Sequence, residues 1–491
     1  MGVMRFIVSP PDRITPETAQ LAYMSGLDRI PWRGVAHLVG DRLVFDRDVS
    51  DSGNLFVPWP VDGHGTLILA TGCLMERDQP YQLPLELARG EIAQFRNQLA
   101  EWRSIGLEVP DPVLRLGDEA VRLFTQAIAR SADRDASAHL AEQSLAVSLT
   151  AADRLAACYV EQAWAVRRAT RQRRPWLGVD LGTTFLDEST ARQLAPAFTA
   201  ARVPLAWADV ESSESTRDWT VPDRLVRWCR DRRWCTCVGP LVQFGPGSSP
   251  DWLYLFEDDF AGLQSAIAEY VEAAVSRYRG QVDLWQCAGR PNTTDFLSLE
   301  EEEMVQLTAR VVEQVRSLDP QTPVVVGFDQ PWGEYVGRRD VDFPPIYFAD
   351  ALLRANLGIS GLLLEINLGY HPGGTLPRDP LDLSRQLDAW SALGVPLYVS
   401  ICVPSADPPD PLARRRDRPL EPARTPKTQH AWLARQLPLI LAKPYVQGVL
   451  WSQLHDSIPH DFPHASLFDF HRRPKPALPL LTSLSEALSR Q

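Results

Sequence analysis

The sequence predicts an α/β protein whose C-terminal part, residues 175–491, folds as a (β/α)8 barrel. Eight short apolar segments alternate there with amphipathic segments, and this alternation is typical of parallel strands joined by crossover helices. The segment is also long enough, because a barrel of eight such units needs about 250 residues. The predicted strands are WLGVDLG, VPLAWADV, WCTCVGPLVQF, VDLWQCAG, PVVVGFD, GLLLEINL, PLYVSICV and QGVLWSQL.

Two shorter segments precede the predicted barrel. Residues 1–85 contain short apolar runs separated by turn-forming Gly, Pro, Asp and Asn, a pattern that predicts a small β-sandwich. Residues 86–174 change to helical periodicity, so they are expected to form two or three long amphipathic helices. Pro175 follows an arginine-rich stretch and marks the start of the barrel. The expected domains are therefore 1–85, 86–174 and 175–491.

Charge and composition exclude several classes of protein. The 491 residues include 62 acidic and 50 basic side chains, a formal net charge of −12 at pH 7, whereas nucleic-acid-binding proteins carry a basic surface. No segment has the length and apolar character of a membrane span or a secretion signal, so we expect a cytoplasmic protein without a nucleic-acid or membrane partner. The seven cysteines form no CxxC pair, and no P-loop, HExxH motif or paired metal-ligand cluster is present, so neither a metal nor a cofactor is predicted.

Acidic residues near the ends of the predicted strands are the candidate catalytic groups. Active sites of (β/α)8 barrels lie at the C-terminal ends of the strands. Glu365 is the first candidate, because a carboxylate on such an apolar strand needs a defined partner, and Asp329 is the second. Two other roles remain open. Glu365 can form a salt bridge to Arg290 across the barrel, and Asp329 can cap backbone amides.

Polar and aromatic side chains at the same strand ends form the predicted ligand site. Aromatic rings can stack on sugars, and polar side chains can bond their hydroxyl groups. Asp180 can instead cap a turn, and His455 can be a surface or buried structural histidine. The predicted ligand-binding residues are Asp180, Trp207, Asp209, Arg290, Asn292, Trp332, Asn367, Trp451 and His455.

Three sequence motifs resemble the family 10 glycoside hydrolases, the xylanase family. PLVQFGPGSSPDWL is similar to the loop after the third strand of that family, VLWSQLHDS to its eighth strand, and SLFDFHRRPKPALPLL to its C-terminal motif. The motifs occur in the family's order and spacing. The resemblance implies a (β/α)8 barrel that acts on carbohydrate, and it implies a retaining mechanism carried by two carboxylates at strand ends.

The positions that match the two catalytic carboxylates carry other residues. Where the family has Trp-x-x-x-Asn-Glu on the fourth strand, this sequence runs from Trp285 to Arg290, so an arginine replaces the acid. Where the family has Thr-Glu on the seventh strand, this sequence has Ser400 and Ile401. An arginine cannot donate a proton near neutral pH, and an isoleucine cannot act as a nucleophile. The family's retaining mechanism is therefore not expected here.

Two functions are compatible with these substitutions. In the first, the barrel mouth binds or processes a carbohydrate or a related small molecule, with Arg290 pairing with an anionic group such as a uronate or a phosphate. In the second, the protein is a non-catalytic scaffold or interaction protein, a pseudoenzyme. The N-terminal β-segment is expected to be a carbohydrate-binding-like module or a structural element. The apolar faces of the helical segment also fit a homodimer.

Overall fold

The computed structural model describes residues 2–170, 174–245, 248–293, 296–339, 341, 343–407, 409–415, 417–419 and 424–490. The chain divides into two compact units. The first unit comprises Met1–Arg171, Trp332–Val341 and Leu376–Asp388, and the second comprises Gln172–Pro331, Asp342–Thr375 and Ala389–Gln491. Three separate stretches of sequence therefore encode the first unit.

The first unit contains two four-stranded β-sheets. Its strands are β1 (Gly2–Ile7), β2 (Tyr23–Ser25), β3 (Pro31–Trp32), β4 (Gly34–Val39), β5 (Arg42–Arg47), β6 (Asn54–Val61), β7 (Gly65–Ala70) and β8 (Tyr81–Gln82). One sheet has the order β4-β5-β1-β8 and the other β3-β2-β6-β7. On β5, Leu43 and Phe45 are buried while Arg42 and Asp46 are exposed, because successive side chains of a strand point to opposite faces. Side chains of both sheets belong to one hydrophobic core, as the predicted sandwich requires.

Four helices of the N-terminal stretch belong to the first unit, which also contains most of a helix at Pro380–Ser391. They are α1 (Pro16–Ala19), α2 (Leu83–Ser104), α3 (Asp111–Ala129) and α4 (Arg134–Ala169). Pro110 precedes α3, and the Asp133 side chain caps α4 by accepting a hydrogen bond from the Ala136 amide at 3.1 Å. Leu145 and Leu149 of α4 lie in the same core as Trp59 of β6. The helical segment is therefore packed against the sheets rather than left in solvent.

The second unit is a closed (β/α)8 barrel, as the sequence predicts. Its strands are β9 (Trp176–Asp180), β10 (Ala200–Val203), β11 (Cys235–Val238), β12 (Val242–Gln243), β13 (Leu284–Gly289), β14 (Val324–Asp329), β15 (Gly361–Asn367), β16 (Tyr370–His371), β17 (Leu397–Cys402), β18 (Arg418–Pro419) and β19 (Val446–Trp451). Eight of them pair in parallel around the barrel, and β19 pairs with β9 to close it. Strand β12 pairs with β13, while β16 and β18 form a separate antiparallel ribbon.

Helices alternate with the barrel strands along the chain. They are α5 (Glu188–Leu194), α6 (Trp207–Val210), α7 (Thr220–Asp231), α8 (Phe260–Tyr278), α9 (Glu301–Leu318), α10 (Pro345–Arg354), α11 (Pro380–Ser391), α12 (Pro426–Ala442) and α13 (Ala477–Arg490). In the part of the chain that the structure describes, no helix combines the length and the hydropathy that crossing a membrane requires.

The second barrel strand differs from its prediction. The sequence predicts a strand over residues 203–210, whereas β10 ends at Val203 and residues 207–210 form helix α6. Pro204 ends the strand because it has no N–H group to donate to a neighbouring strand. The sequence did not predict a strand at Ala200 and Ala201, because alanine has a low preference for strands. As a result, Arg202 lies on a barrel strand, a position that the sequence did not predict.

Candidate functional site

The C-terminal ends of the barrel strands surround a cavity of about 120 Å³. Three of the residues predicted for the ligand site line this cavity, namely Asp180, Arg290 and His455. Such a cavity lies where (β/α)8 barrels carry their active sites. Its wall also contains Arg202, Gln243, Gln453, Ile458, Asp461 and Phe462.

Asp180 and Arg202 form a buried ion pair at one side of this cavity. The two residues are partners in the register of β9 and β10, so their side chains point to the same face. Arg202 Nε lies 2.6 Å from Asp180 Oδ2, and Arg202 Nη1 donates to Gln286 Oε1 at 3.2 Å. Burial raises the pKa of Asp180, and the charge of Arg202 acts against this rise. Asp180 Oδ1 also accepts from the Gly182 amide at 2.7 Å, which is the turn-capping role predicted for it.

Arg290 bridges two carboxylates. Its Nε donates to Glu365 Oε2 at 2.8 Å, and its Nη2 lies 2.8 Å from Asp461 Oδ2. Burial disfavours the charge of Arg290, but the two carboxylates outweigh burial and hold the pKa of Arg290 well above its ordinary value. The salt bridge predicted as one role of Glu365 is therefore confirmed. The ion pairs with Glu365 and Asp461 neutralise Arg290, which was expected to pair with an anionic ligand.

The second candidate carboxylate, Asp329, is also fully engaged. Its side chain is 1% exposed, and its Oδ1 accepts from Asn367 Nδ2 at 2.7 Å and from the Gln330 amide at 2.9 Å. Its Oδ2 accepts from Arg415 Nη1 at 3.1 Å. Asn292 bonds to the backbone of the same residue, with its Nδ2 2.8 Å from the Asp329 carbonyl oxygen. Asp329 thus caps a backbone amide, as predicted, within a network that also contains Asn292 and Asn367.

His455 is a neutral histidine at the cavity wall. Burial, followed by the nearby charge of Arg472, lowers the pKa of His455 from its ordinary value of 6.5 to about 4. Its Nε2 lies 3.4 Å from Thr190 Oγ1, and its ring lies 4.8 Å from that of Phe468. Its Nδ1 is buried and has no hydrogen-bond partner among the described residues.

The lowered pKa of His455 predicts a pH-dependent stability. Between pH 6.5 and about 4 the unfolded chain binds a proton at this histidine that the folded protein does not bind, so the free energy of unfolding falls as the pH falls. We expect His455→Gln to remove a part of this decrease on the order of 1 kcal/mol, since water at the cavity wall screens the charge. Urea unfolding at pH 7.0 and 4.5 measures both proteins. Equal pH dependence of the two would contradict the assignment.

Several predicted site residues lie away from the cavity. Trp207 is buried, stacks on Tyr270 with ring centroids 4.4 Å apart, and donates from Nε1 to Glu211 at 3.0 Å, so it serves the core. Asp209 is exposed on α6 and does not line the cavity. Trp332 is buried and belongs to the first unit.

The side chains of Trp451 and Ile401 point away from the barrel interior, as the strand register shows. Ile401 pairs with Ile366 and Trp451, whereas Glu365 pairs with Ser400. Partners in register point to the same face, and Glu365 points inward to Arg290, so Trp451 and Ile401 point to the outer face. Trp451 is 2 % exposed and cannot offer its ring to a sugar in this arrangement. Ser400 and Cys402 occupy the inward positions of β17.

A cluster of potential metal ligands adjoins the cavity. Ligand atoms of Asp410, Asp456 and His460 all lie within 4.8 Å of one another. The Lys475 ammonium lies 2.6 Å from Asp456 Oδ2 and donates to Ser405 Oγ at 2.8 Å. Because this ammonium already provides a positive charge beside Asp456, we assign the cluster a structural role.

Several polar residues of the site were not predicted, among them Arg202, Gln286, Arg415 and Asp461. Gln286 lies inside a predicted apolar strand, and a polar residue there was a signal that could have identified it. Arg415 and Asp461 follow β17 and β19 in long connecting segments. Nothing in their local sequence distinguishes them from surface residues.

These features define a (β/α)8-barrel protein with a polar, charge-paired cavity at the strand ends. Among solved structures it is similar to native xylanase 10B from Thermotoga maritima, at 14% identity over 66% of this chain and 99% of that chain, with a TM-score of 0.49. It is also similar to a family 10 endoxylanase from a sugarcane soil metagenome, at 14% identity over 64% of this chain and 97% of that chain, with a TM-score of 0.49.

A third neighbour is the intracellular xylanase of Thermoanaerobacterium saccharolyticum, at 14% identity over 63% of this chain and 95% of that chain, with a TM-score of 0.47. These neighbours are xylanases of the family that the sequence motifs resemble, and the likeness concerns the fold alone. No protein-family model matches the sequence, and no curated protein matches it.

Proposed function

We propose that the protein binds a carbohydrate in the cavity at the strand ends and does not hydrolyse it by a retaining mechanism. One observation carries this proposal. Both candidate catalytic carboxylates, Glu365 and Asp329, are buried and paired with arginines, at 2.8 Å from Arg290 and 3.1 Å from Arg415 respectively.

The proposed loss of the retaining mechanism follows from the chemistry of a retaining glycosidase. Such an enzyme needs one carboxylic acid that donates a proton and one free carboxylate about 5 Å away that attacks the sugar. Glu365 and Asp329 each accept a hydrogen bond from an arginine, so neither is a free carboxylate that can attack a sugar. Arg290 itself cannot act as the acid.

The cavity wall supports binding of a hydroxyl-rich ligand. Sugar hydroxyls both donate and accept hydrogen bonds, and the wall offers the polar side chains of Asp180 and Gln243. Phe462 and Ile458 add apolar surface for the faces of a sugar ring. The charge of Arg290 is already neutralised by Glu365 and Asp461, so we propose a neutral sugar rather than a uronate. The volume of about 120 Å³ fits one end of a glycan rather than a chain.

A cavity-filling substitution tests this proposal. Thr183 lines the cavity and is partly exposed, so Thr183→Trp should fill the space without removing a hydrogen bond. Calorimetric titration with xylose, xylobiose, glucose and glucuronate is expected to detect binding of at least one neutral sugar. Thr183→Trp should weaken that binding by about tenfold or more, a loss of about 1.4 kcal/mol. The matched control is Thr184→Trp, the exposed neighbour outside the cavity, which should bind like the unaltered protein.

Two results would contradict the proposal. If no sugar binds, the alternative of a non-catalytic scaffold or interaction protein is favoured, and the small volume of the cavity supports that alternative. If the purified protein releases reducing sugar from xylan at an ordinary enzymatic rate, the proposed loss of the retaining mechanism is wrong.

The β-rich residues 1–85 serve as a carbohydrate-binding-like or structural element beside the helical residues 86–174, and residues 175–491 carry the ligand site. Cytoplasmic location and homodimer formation stay predictions from the sequence. Size-exclusion chromatography with light scattering measures the oligomeric state directly.

A further inference from the structure

The first unit contains a second cavity of about 380 Å³, which lies within the range of about 300–1,000 Å³ typical of small-molecule sites. Strand β6, the end of β7 and helix α2 contribute half of the residues of its wall. Phe56 and Ala93 contribute apolar surface, and Gly90 lets α2 approach β7 closely, because a Cβ there would lie 1.9 Å from the Ala70 carbonyl oxygen. Two arginines, Arg29 and Arg385, also line the cavity.

Neither arginine is fully paired. Arg385 has no ion pair or hydrogen bond with any described residue and is only partly buried, so its guanidinium can meet a ligand. Arg29 uses Nη2 to bond Asp382, while its Nε and Nη1 are buried and have no hydrogen-bond partner among the described residues. Asp382 also pairs with Arg378, so one carboxylate is shared between two arginines. The cavity wall therefore has unused donors and uncompensated positive charge.

Apart from Asp382, the acidic groups close to these arginines, Asp379 and Glu91, have raised pKa values. Asp379 accepts a hydrogen bond from Gln94 at 2.9 Å, and burial followed by the charge of Asp382 raises the pKa of Asp379. Burial and then the charge of Asp379 raise the pKa of Glu91 well above its ordinary value. Both carboxyl groups are thus shifted toward their neutral forms. Burial and then the charge of Arg29 lower the pKa of Arg385, and the nearby Asp382, Asp379 and Glu91 act against this lowering without cancelling it.

We propose that this cavity binds a small organic oxyanion, a carboxylate or a phosphate, with Arg385 as its main contact and Arg29 as the second positive charge. Guanidinium groups bind both kinds of oxyanion through paired N–H donors. The apolar part of the ligand packs against Phe56, whose ring already faces the Arg29 guanidinium at 5.3 Å. This site is separate from the barrel cavity and independent of the proposed carbohydrate binding.

Calorimetric titration of the full chain tests the site with two probes, inorganic phosphate and benzoate. Binding of only one of them identifies the oxyanion class. Arg385→Gln is expected to weaken binding by about tenfold or more, because it removes a charge-assisted contact. Arg115→Gln removes an exposed positive charge from α3 outside the cavity and should bind like the unaltered protein. Failure of both probes to bind, or equal binding by the Arg385→Gln variant, would overturn the proposal.

A second variant covers the case in which Arg385→Gln fails to fold. Ala93 is exposed on α2 and lines the cavity, so Ala93→Phe fills it from the solvent side. This variant should lose oxyanion binding, whereas Ala100→Phe, an exposed position of α2 outside the cavity, should keep it. Thr183→Trp should also keep it, since that substitution lies in the barrel cavity. Retained binding in Ala93→Phe would place the oxyanion elsewhere and contradict the assignment.

Discussion

Arg290→Ala is expected to lower the free energy of unfolding of the barrel by about 3–5 kcal/mol, because it leaves two carboxylates without their counter-ion. Glu365 and Asp461 both bond to this guanidinium, and the Glu365 side chain is 6% exposed. Removing one partner of a buried ion pair lowers the free energy of unfolding by more than the intact pair contributes to it, because the remaining charge is poorly solvated. Urea unfolding followed by tryptophan fluorescence measures the change.

Two comparison variants separate this effect from a general loss of arginine. Arg310 is 71% exposed and pairs with Glu313 on the surface of α9, so Arg310→Ala should change stability by less than about 0.5 kcal/mol. Arg290→Ala combined with Glu365→Gln should recover part of the loss, because one of the uncompensated charges is then removed. A loss below about 1 kcal/mol for Arg290→Ala would show that the bridging interaction is not important for stability.

Arg378→Met should destabilise the first unit by a similar amount, about 3–5 kcal/mol. The guanidinium of Arg378 is 2% exposed and bonds to Glu334, Asp382 and the Tyr23 hydroxyl, the last at 2.9 Å. The carboxylates of Glu334 and Asp382 are 1% and 5% exposed, so neither can be solvated when the arginine is lost. Arg29 still pairs with Asp382, which leaves Glu334 as the main uncompensated charge.

Amide hydrogen exchange is the suitable measurement for this second variant, because a chain with two units need not unfold in one step. Exchange of the β6 and β7 amides should accelerate, while exchange of the barrel strands gives an internal reference. Arg122, which is 58% exposed and pairs with Glu119 along α3, provides the control: Arg122→Met should leave exchange unchanged. Equal protection of β6 in Arg378→Met and in the unaltered protein would contradict the expectation.

The fold was predictable because its main signals are local. The alternation of apolar strands and amphipathic helices identified the barrel, and seven of the predicted segments overlap most of the observed strand, although the third segment contains both β11 and β12. The exception, β10, shows the limit of local signals. Its sequence, Ala200 to Val203, has little preference for a strand, and it becomes one through pairing with β9 and β11 on either side. That pairing depends on tertiary structure, which sequence periodicity does not report.

The site was predictable only in part, because several of its contacts join residues that are far apart in the sequence. Glu365 could be identified because a carboxylate interrupts an apolar strand, and its partner Arg290 could be named. Asp461 and Arg415, which complete the two ion-pair networks, come from segments after other strands. The contact of Arg415 with Asp329 spans 86 positions of sequence. Strand register decided the orientation of Trp451, and a shift of one position would have turned it inward.

The discontinuity of the first unit limits how this chain can be divided. Arg29 and Gln94 come from the N-terminal stretch, but their partners Asp382 and Asp379 come from residues 376–388. A fragment ending at residue 171 would therefore contain Arg29 and Gln94 without the carboxylates that bind them. Gene fusion could not transfer the N-terminal region alone to another barrel. The fused segment would also need the two distant stretches Trp332–Val341 and Leu376–Asp388.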